Sequence, residues 1–489
     1  MSKARIVEYF DRVAPDWDAW HRRNAYYHAR AHALIRGMVP PGARVLEIGC
    51  GTGDLLAALR PSRGVGLNVS ERLTGLARAK YPALEFHTAD VDAAPVPDGF
   101  RPEYVVLNNM LDYVYDVWDA VQNLGPVLGD LTLLVATTSN PLWAPILKTG
   151  SRLRLRVPDS PRNFLTNRDL LNVLELQGLR VVEQGMALPV PKRVPLLGPL
   201  VNAVLPEIPA LRYVSSLQYV AARPRVPRPP LACSVIVPCH DEEGNIAECI
   251  RRVPPLGART EIVVVDDGSS DTTRRLVRAT MRDDARVRLI AFDRNQGKAA
   301  AVRAGCEAAT GDVLIILDAD MAVRPEEMGK FVKPLQDGVA DFVNGTRLVY
   351  PMEGRAMKMA NYLGNKAFCL LLSAILRQRV SDTLCGTKAF FRRDYLRMPV
   401  GGRERWGDFD LLLGAARLKL RILEIPIHYR ERRAGESKMR VSVEGWRFLR
   451  ASLSGWRMLR FPDAVPWVER FEPARGWVEV GADVPERVG

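Results

Sequence analysis

Two aspartates, Asp318 and Asp320, close the otherwise apolar stretch LIILDADMAVRPEE at residues 314–327. An uncompensated charge in a core costs several kcal/mol, so a buried strand ending on two carboxylates needs something positive to meet them. Two other apolar runs also end on acids: VIVPCHDEEGNI carries Asp241 and Glu242, and IVVVDDGSSDTT carries Asp266 and Asp267. A helical pattern opens at NQGKAAAVRAG with Lys298. In a parallel sheet such strand ends share one edge and gather around one crevice. Hard carboxylate oxygens there suit Mg2+ or Mn2+, which binds one or two carboxylates together with nucleotide phosphates. The metal is the expected positive charge.

A second constellation lies earlier, in VLEIGCGTG, where a strand runs into Gly49, Gly51 and Gly53. Glycines beyond a strand end let backbone and ligand approach closely. The G-x-G-x-G spacing departs from the dinucleotide pattern G-x-G-x-x-G, so a pyrophosphate is not the favoured guest.

The elements that must position these residues follow from the apolar periodicity. Strand-like runs ARVLEIGCGTG, RGVGLNVS, EYVVLNN and LTLLVATT alternate with helical patterns in the first half, and CSVIVPCHDEE, EIVVVDDGSS, VRLIAF and DVLIILDAD do so in the second. Continuous apolar strands separated by helices predict parallel sheets covered on both faces. The fold class is α/β, two doubly wound Rossmann-like domains in series. Between them ARPRVPRPPL holds four prolines, which favour a stiff extended linker. The expected division is 1–222, a linker at 223–231, 232–440, and a basic amphipathic extension at 441–489.

The 489 residues exceed what one core supports. A formal charge of +13 attracts polyanions, lipid headgroups or nucleotide phosphates. Nucleic acid is not an expected partner, for there is no recognition motif and no clustered lysine tract. Seven cysteines without a C-x-x-C pair argue against zinc ribbons and disulfide frameworks and fit a reducing, cytoplasmic setting. The first twenty residues carry acids where a secretion signal needs an apolar core, and no apolar run is long enough to span a bilayer.

With these residues in view, the region from about 5 to 220 resembles class I S-adenosylmethionine-dependent methyltransferases. The resemblance implies that Glu47, Gly49, Gly51 and Gly53 cradle the methionine part of the cofactor. Asn68, in GVGLNVS, stands where relatives carry an acid for the ribose hydroxyls; an amide accepts hydrogen bonds less strongly than a carboxylate. Asp90 in TADVD matches the adenine-side position. A base is needed only if the methyl acceptor must lose a proton, and His87 and Asp112 are the candidates.

Residues 232 to 440 resemble family 2 glycosyltransferases of the GT-A fold, in the branch of dolichyl-phosphate mannose and glucose synthases. VPCHDEEGNI implies Pro238, Asp241, Glu242 and Asn245 as donor-side residues. VVVDDGSSDTT implies that Asp266, Asp267, Gly268 and Ser269 hold base and ribose. LDADM resembles the DxD signature, with Asp318 toward sugar or ribose and Asp320 on the metal. NGTR suggests Arg347 near the phosphates, and DTLCGTKAF matches a segment bordering the acceptor. ERWGDFDLL offers Asp408 and Asp410 as paired acids, and YRERRAGESKM supplies Arg432, Ser437 and Lys438 of a closing element. Lys298 and the arginines would stabilise charge growing on the leaving phosphate. A lipid phosphate acceptor needs no general base; a hydroxyl needs one, Asp410 first and Asp408 second.

VSVEGWRFLRASLSGWRMLRF at 441–461 sets Trp446, Leu449, Leu453, Trp456 and Leu459 among arginines, the pattern of a helix lying in a lipid interface, although such a stripe also packs on its own domain. The expectation is a bifunctional enzyme, cytoplasmic and peripheral on the inner membrane face, with a nucleotide-sugar donor and a lipid phosphate or glycan acceptor. Two alternatives stay open: transfer to a polysaccharide or protein hydroxyl, and an N-terminal half that binds without catalysing.

Overall fold

The structure is a computed structural model that describes residues 2–90, 96–97, 99–158, 162–350, 359–398, 407–430, 441–460 and 476–481, with backbone alone for 359–363 and 441–448. The chain forms two compact units, Met1–Arg225 and Val226–Gly489.

The first unit holds β1 (Arg44–Ile48), β2 (Arg63–Asn68), β3 (Glu85–Thr88), β4 (Tyr104–Asn108), β5 (Leu133–Ser139), β6 (Leu179–Ala187) and β7 (Leu217–Pro224). They form one sheet in the order β3-β2-β1-β4-β5-β7-β6. Strands β1 to β5 are parallel, and β7 runs antiparallel to both neighbours. The order reverses between β1 and β4, the switch point where a doubly wound sheet opens a crevice at the carboxyl ends. Successive residues point to opposite faces: Leu46, Val105 and Leu134 enter one core while Val45, Val106 and Val135 enter another. Arg223 and Pro224, read from sequence as the start of the linker, are the last residues of β7 and pair with Arg180 and Leu179.

The second unit holds β8 (Ala232–Cys239), β9 (Arg259–Asp266), β10 (Val287–Phe292), β11 (Val313–Ile316), β12 (Phe342–Thr346), β13 (Lys388–Phe391), β14 (Ile422–Pro426) and β15 (Trp477–Val480). The order is β14-β12-β13-β11-β8-β9-β10-β15. Strands β8 to β11 pair in parallel, so Cys239, Asp266, Phe292 and Ile316 finish on one edge. The sheet is mixed: β13 is antiparallel to β11 and β12, and β15 is antiparallel to β10. Again one strand feeds two cores, with Val235 and Val264 on one face and Ile236 and Val263 on the other.

The region expected as an extension supplies parts of this unit. In the helix Val441–Arg460, Trp456 and Leu459 pack against the core, and the Met458 carbonyl accepts from Arg417 at 2.8 Å. Leu449 and Leu453 of the same stripe are exposed. The stripe is thus divided between core and solvent. Among the described residues no helix is long and apolar enough to cross a membrane.

Candidate active sites

In the first unit the turn after β1 is built by three glycines at positive φ, 80° at Gly49, 56° at Gly51 and 84° at Gly53. A Cβ on Gly49 would stand 2.8 Å from Met110 Cγ, and one on Gly53 2.6 Å from Phe86 Cζ. Backbone conformation and protein packing therefore demand these two glycines.

A cavity of about 710 Å3 opens over the carboxyl ends of the central strands. Glu47, Gly49, Gly51, Asn68, Asp90 and Asp112 line it; Gly53 does not. Glu47 is buried, its Oε2 has no hydrogen-bond partner, and burial pushes its carboxyl well above the usual range. Asn68 is buried and its Oδ1 accepts from Ser70 N at 2.9 Å, which leaves the amide to face the cavity as a donor. Asp90 is ion-paired with Lys3 at 3.2 Å.

Of the two expected bases, only Asp112 reaches the cavity. It is buried and accepts from Ser139 N at 3.2 Å, and burial raises its carboxyl to about 6 against the pull of Ser139 and Arg162. His87 is exposed at the end of β3 and does not line the cavity, because the alternation that buries Phe86 turns its neighbour outward.

The sequence reading missed the opposite wall. His21 and His28 line the cavity and stack with ring centroids 3.9 Å apart, and Trp17 packs against His21 at 4.9 Å. Burial holds both histidines low, His28 at about 3, so they are neutral. No local pattern gives this contact, because His21 belongs to the helix Trp17–Arg23 and His28 to the helix Ala25–Arg36, and the break at Asn24 brings the two rings together. Arg156 and Arg162 complete the far side, Arg162 lying over the Tyr113 ring at 5.0 Å.

In the second unit Asp318 and Asp320 follow β11 directly. Lys298 opens the helix Lys298–Ala308 and meets Asp318 at 2.6 Å. Burial disfavours its ammonium, yet Asp318, Asp408 and Asp320 hold its pKa above the usual lysine value. Asp320 is buried and accepts from Ala322 N at 3.1 Å. Gly386 presses on the pair: a Cβ there would lie 2.5 Å from Asp318 Oδ2 and 2.6 Å from Lys298 Nζ.

The helix Asp408–Arg417 brings up the remaining acids. Asp408 pairs with the wholly buried Lys388 at 3.0 Å, and Lys388 also donates to the Cys385 carbonyl. Asp410 is partly exposed in the same first turn.

At the carboxyl ends of β8 and β9 the acids serve the loops. Asp267 accepts from the backbone N–H groups of Gln296 and Gly297 at 2.7 and 2.8 Å, which fixes the turn that presents Lys298. Asp266 is wholly buried and held by Arg274 at 2.7 Å and Ser269 N at 3.0 Å. Gly268 turns at φ 69° against the Arg294 backbone. Glu242 accepts from Asn245 at 2.8 Å, and Pro238 is the penultimate residue of β8.

Arg347 directly follows β12, which is parallel to β11, so it leaves from the same edge as Asp318 and Asp320. Its Nε and Nη2 reach Asp382 at 2.7 and 2.8 Å, and its guanidinium lies over Tyr429. Burial alone would raise the Asp382 carboxyl, but Arg347 and Asn365 hold it at about 2. The pair uses Nε and Nη2 and leaves further guanidinium donors, so Arg347 keeps N–H groups to offer beside Asp382. Arg432, Ser437 and Lys438 lie outside the described residues. Among those described, no group of three or more His, Cys, Asp or Glu could hold a metal ion.

Residues 19–184 match the family Methyltransferase domain, and residues 234–398 match Glycosyl transferase family 2. The undecaprenyl-phosphate 4-deoxy-4-formamido-L-arabinose transferase of Salmonella paratyphi B is 32% identical over 210 residues, 42% of this chain and 62% of the relative's length. The chain thus spans less than two thirds of that relative. Among solved structures, glucosyl-3-phosphoglycerate synthase from Mycobacterium tuberculosis, in complex with Mn2+, uridine diphosphate and glucosyl-3-phosphoglycerate, aligns with 22% identity and a TM-score of 0.36 over 47% of this chain and 80% of its own. A methyltransferase from Thermotoga maritima, described as a possible histamine N-methyltransferase, aligns with 15% identity and a TM-score of 0.35 over 45% and 99%. The chain thus carries a methyltransferase-domain match followed by a family 2 glycosyl transferase match, which mark it as an enzyme.

Proposed function

We propose that the second unit transfers a sugar, with inversion and with a divalent metal, from a nucleoside diphosphate to a polyprenyl phosphate or related glycolipid acceptor. The observation that carries this is the Lys298–Asp318 pair, seated at the carboxyl edge beside Asp320 and the Lys388–Asp408 pair. Mg2+ or Mn2+ takes hard oxygens and needs only one or two carboxylates when phosphates complete its shell, so Asp318 and Asp320 fit it without a third protein ligand. When bound, the ion supplies charge neutralisation at the diphosphate. The chain's own share is to keep Lys298 cationic where negative charge grows on the leaving phosphate, and to hold that lysine still with the Asp267-anchored turn. Asp408, engaged by Lys388, is a positioning residue in this reading. Asp410 becomes a base only for a hydroxyl acceptor. The decisive assay offers both acceptor classes to wild type and Asp410→Asn: transfer to a polyprenyl phosphate that the variant retains supports the phosphate acceptor, and transfer to a polysaccharide or protein hydroxyl that the variant almost wholly loses supports the hydroxyl.

For the first unit we infer S-adenosylmethionine-dependent methyl transfer. The buried Glu47 oxygen that lacks a partner suits the amino group of the cofactor, and Asn68 and Asp90 would serve its ribose and adenine ends. When bound, the cofactor supplies an electrophilic methyl. Asp112 then accepts the proton of the acceptor, and the neutral His21–His28 wall excludes water. Calorimetry with S-adenosylmethionine tests this; absence of heat and of any thermal shift would leave a binding or scaffolding module. With a lipid acceptor the protein works peripherally at the inner membrane face.

A further inference from the structure

The mouth of the first-unit cavity carries a surface that neither transfer reaction explains. β5 and β6 both run antiparallel to β7 and hence parallel to each other, so the segments that follow them leave from the same edge as the cavity. The first segment contains the helix Ala144–Arg152 and the second the helix Leu197–Val204. Leu142, Ile146 and Leu153 of the first and Leu196, Leu197 and Leu200 of the second are all exposed. Ile146 and Leu155 are more than half exposed and also line the cavity, which makes the apolar face continuous with the opening.

Leu196 is the most informative of these residues. Its side chain is 92% exposed, and its backbone sits at φ 62° and ψ −56°, with Leu197 N donating to the Pro195 carbonyl at 2.6 Å. That is a γ-turn of the rare, strained hand. A leucine held out at the tip of such a turn gains nothing from its own domain.

The charge around the face is one-sided. Residues 141–157 contain Lys148, Arg152, Arg154 and Arg156 and no acid, and residues 189–214 contain Lys192, Arg193 and Arg212 against Glu207 alone. Exposed leucines surrounded by basic side chains match the boundary of an anionic bilayer, where acyl chains take the apolar groups and headgroups take the cations.

We propose that this face docks the first unit on an anionic lipid surface, so that the cavity opens toward the membrane and receives a lipid-borne methyl acceptor. The docking does not depend on the catalytic reading, because its test uses neither S-adenosylmethionine nor a sugar donor; the lipid-borne methyl acceptor rests on that reading. All seven native cysteines are buried, so Leu196→Cys in the full chain takes an environment-sensitive thiol dye selectively. Leu176→Cys is the control: Leu176 is 70% exposed but precedes the start of β6, at the opposite edge. Vesicles of phosphatidylcholine mixed with phosphatidylglycerol should blue-shift the dye at 196 and not at 176, and pure phosphatidylcholine should shift neither. The variant Leu196→Asp/Leu200→Asp should sediment with the mixed vesicles about tenfold less, at unchanged melting temperature. An unshifted dye at 196 overturns the proposal even where the protein binds vesicles through another region. A concentration-dependent mass that the aspartate variant abolishes overturns it as well, by assigning the face to a second copy of the chain.

Discussion

The two candidate sites are built on opposite electrostatic plans. The second unit pairs its charges: Lys298 with Asp318, Lys388 with Asp408, Arg347 with Asp382 and Arg274 with Asp266. The first unit leaves one acid partly bare, with Glu47 unpartnered at one oxygen, while burial raises Asp112 to about 6 despite its Ser139 contact and holds His28 at about 3. Paired charges keep fixed dipoles in place for an anionic donor whose charge moves during reaction. An unpartnered buried carboxyl oxygen and neutral histidines suit a guest that brings its own positive charge, as a sulfonium with an ammonium group does. What a buried charge lacks in partners is thus a guide to what the ligand carries.

Four experiments can break or sharpen that contrast. Lys298→Met should remove about 10^3 in sugar-transfer rate while the methyl-transfer rate of the same protein stays unchanged; equal loss in both assays would erase the distinction. Asp382→Asn should destabilise by about 3 kcal/mol in chemical denaturation, because it strands a buried guanidinium.

Asp112→Asn should cost about 10^2 in methyl transfer. In wild type that rate should fall as pH drops below about 6, where the Asp112 carboxylate takes up a proton. The folded pKa of Asp112 lies above its unfolded value, so its protonated form favours folding at low pH and this contribution is lost as pH rises from about 4 to about 6. Asparagine at this position should abolish that part of the stability profile in pH-dependent denaturation. The smallest effect is expected for Glu47→Gln, about a tenfold rise in the dissociation constant for S-adenosylmethionine by calorimetry. Unchanged affinity would detach Glu47 from the cofactor.

Much of this was legible along the chain. The runs ending in Ile48, Asn68, Asp266 and Asp320 declared parallel strands and put acids at their carboxyl ends, since apolar periodicity and chain direction are local properties. Other parts were not. Strands β12, β13 and β14 and the antiparallel β15 lack so continuous an apolar run, and the sequence reading passed over them. His21 and His28 stand seven residues apart, but nothing local says that they face a cavity.

What the sequence by itself determined is which residues stand at strand ends and which turns demand glycine, because strand direction and φ are written within a few residues of chain. Only the tertiary structure decided how the charges pair. Arg347 meets Asp382 35 residues away and Lys388 meets Asp408 20 residues away. These pairings depend on the order in which strands assemble, and no local pattern encodes that order. The same long-range packing set Arg347 against Asp382 and left Glu47 with an oxygen to offer.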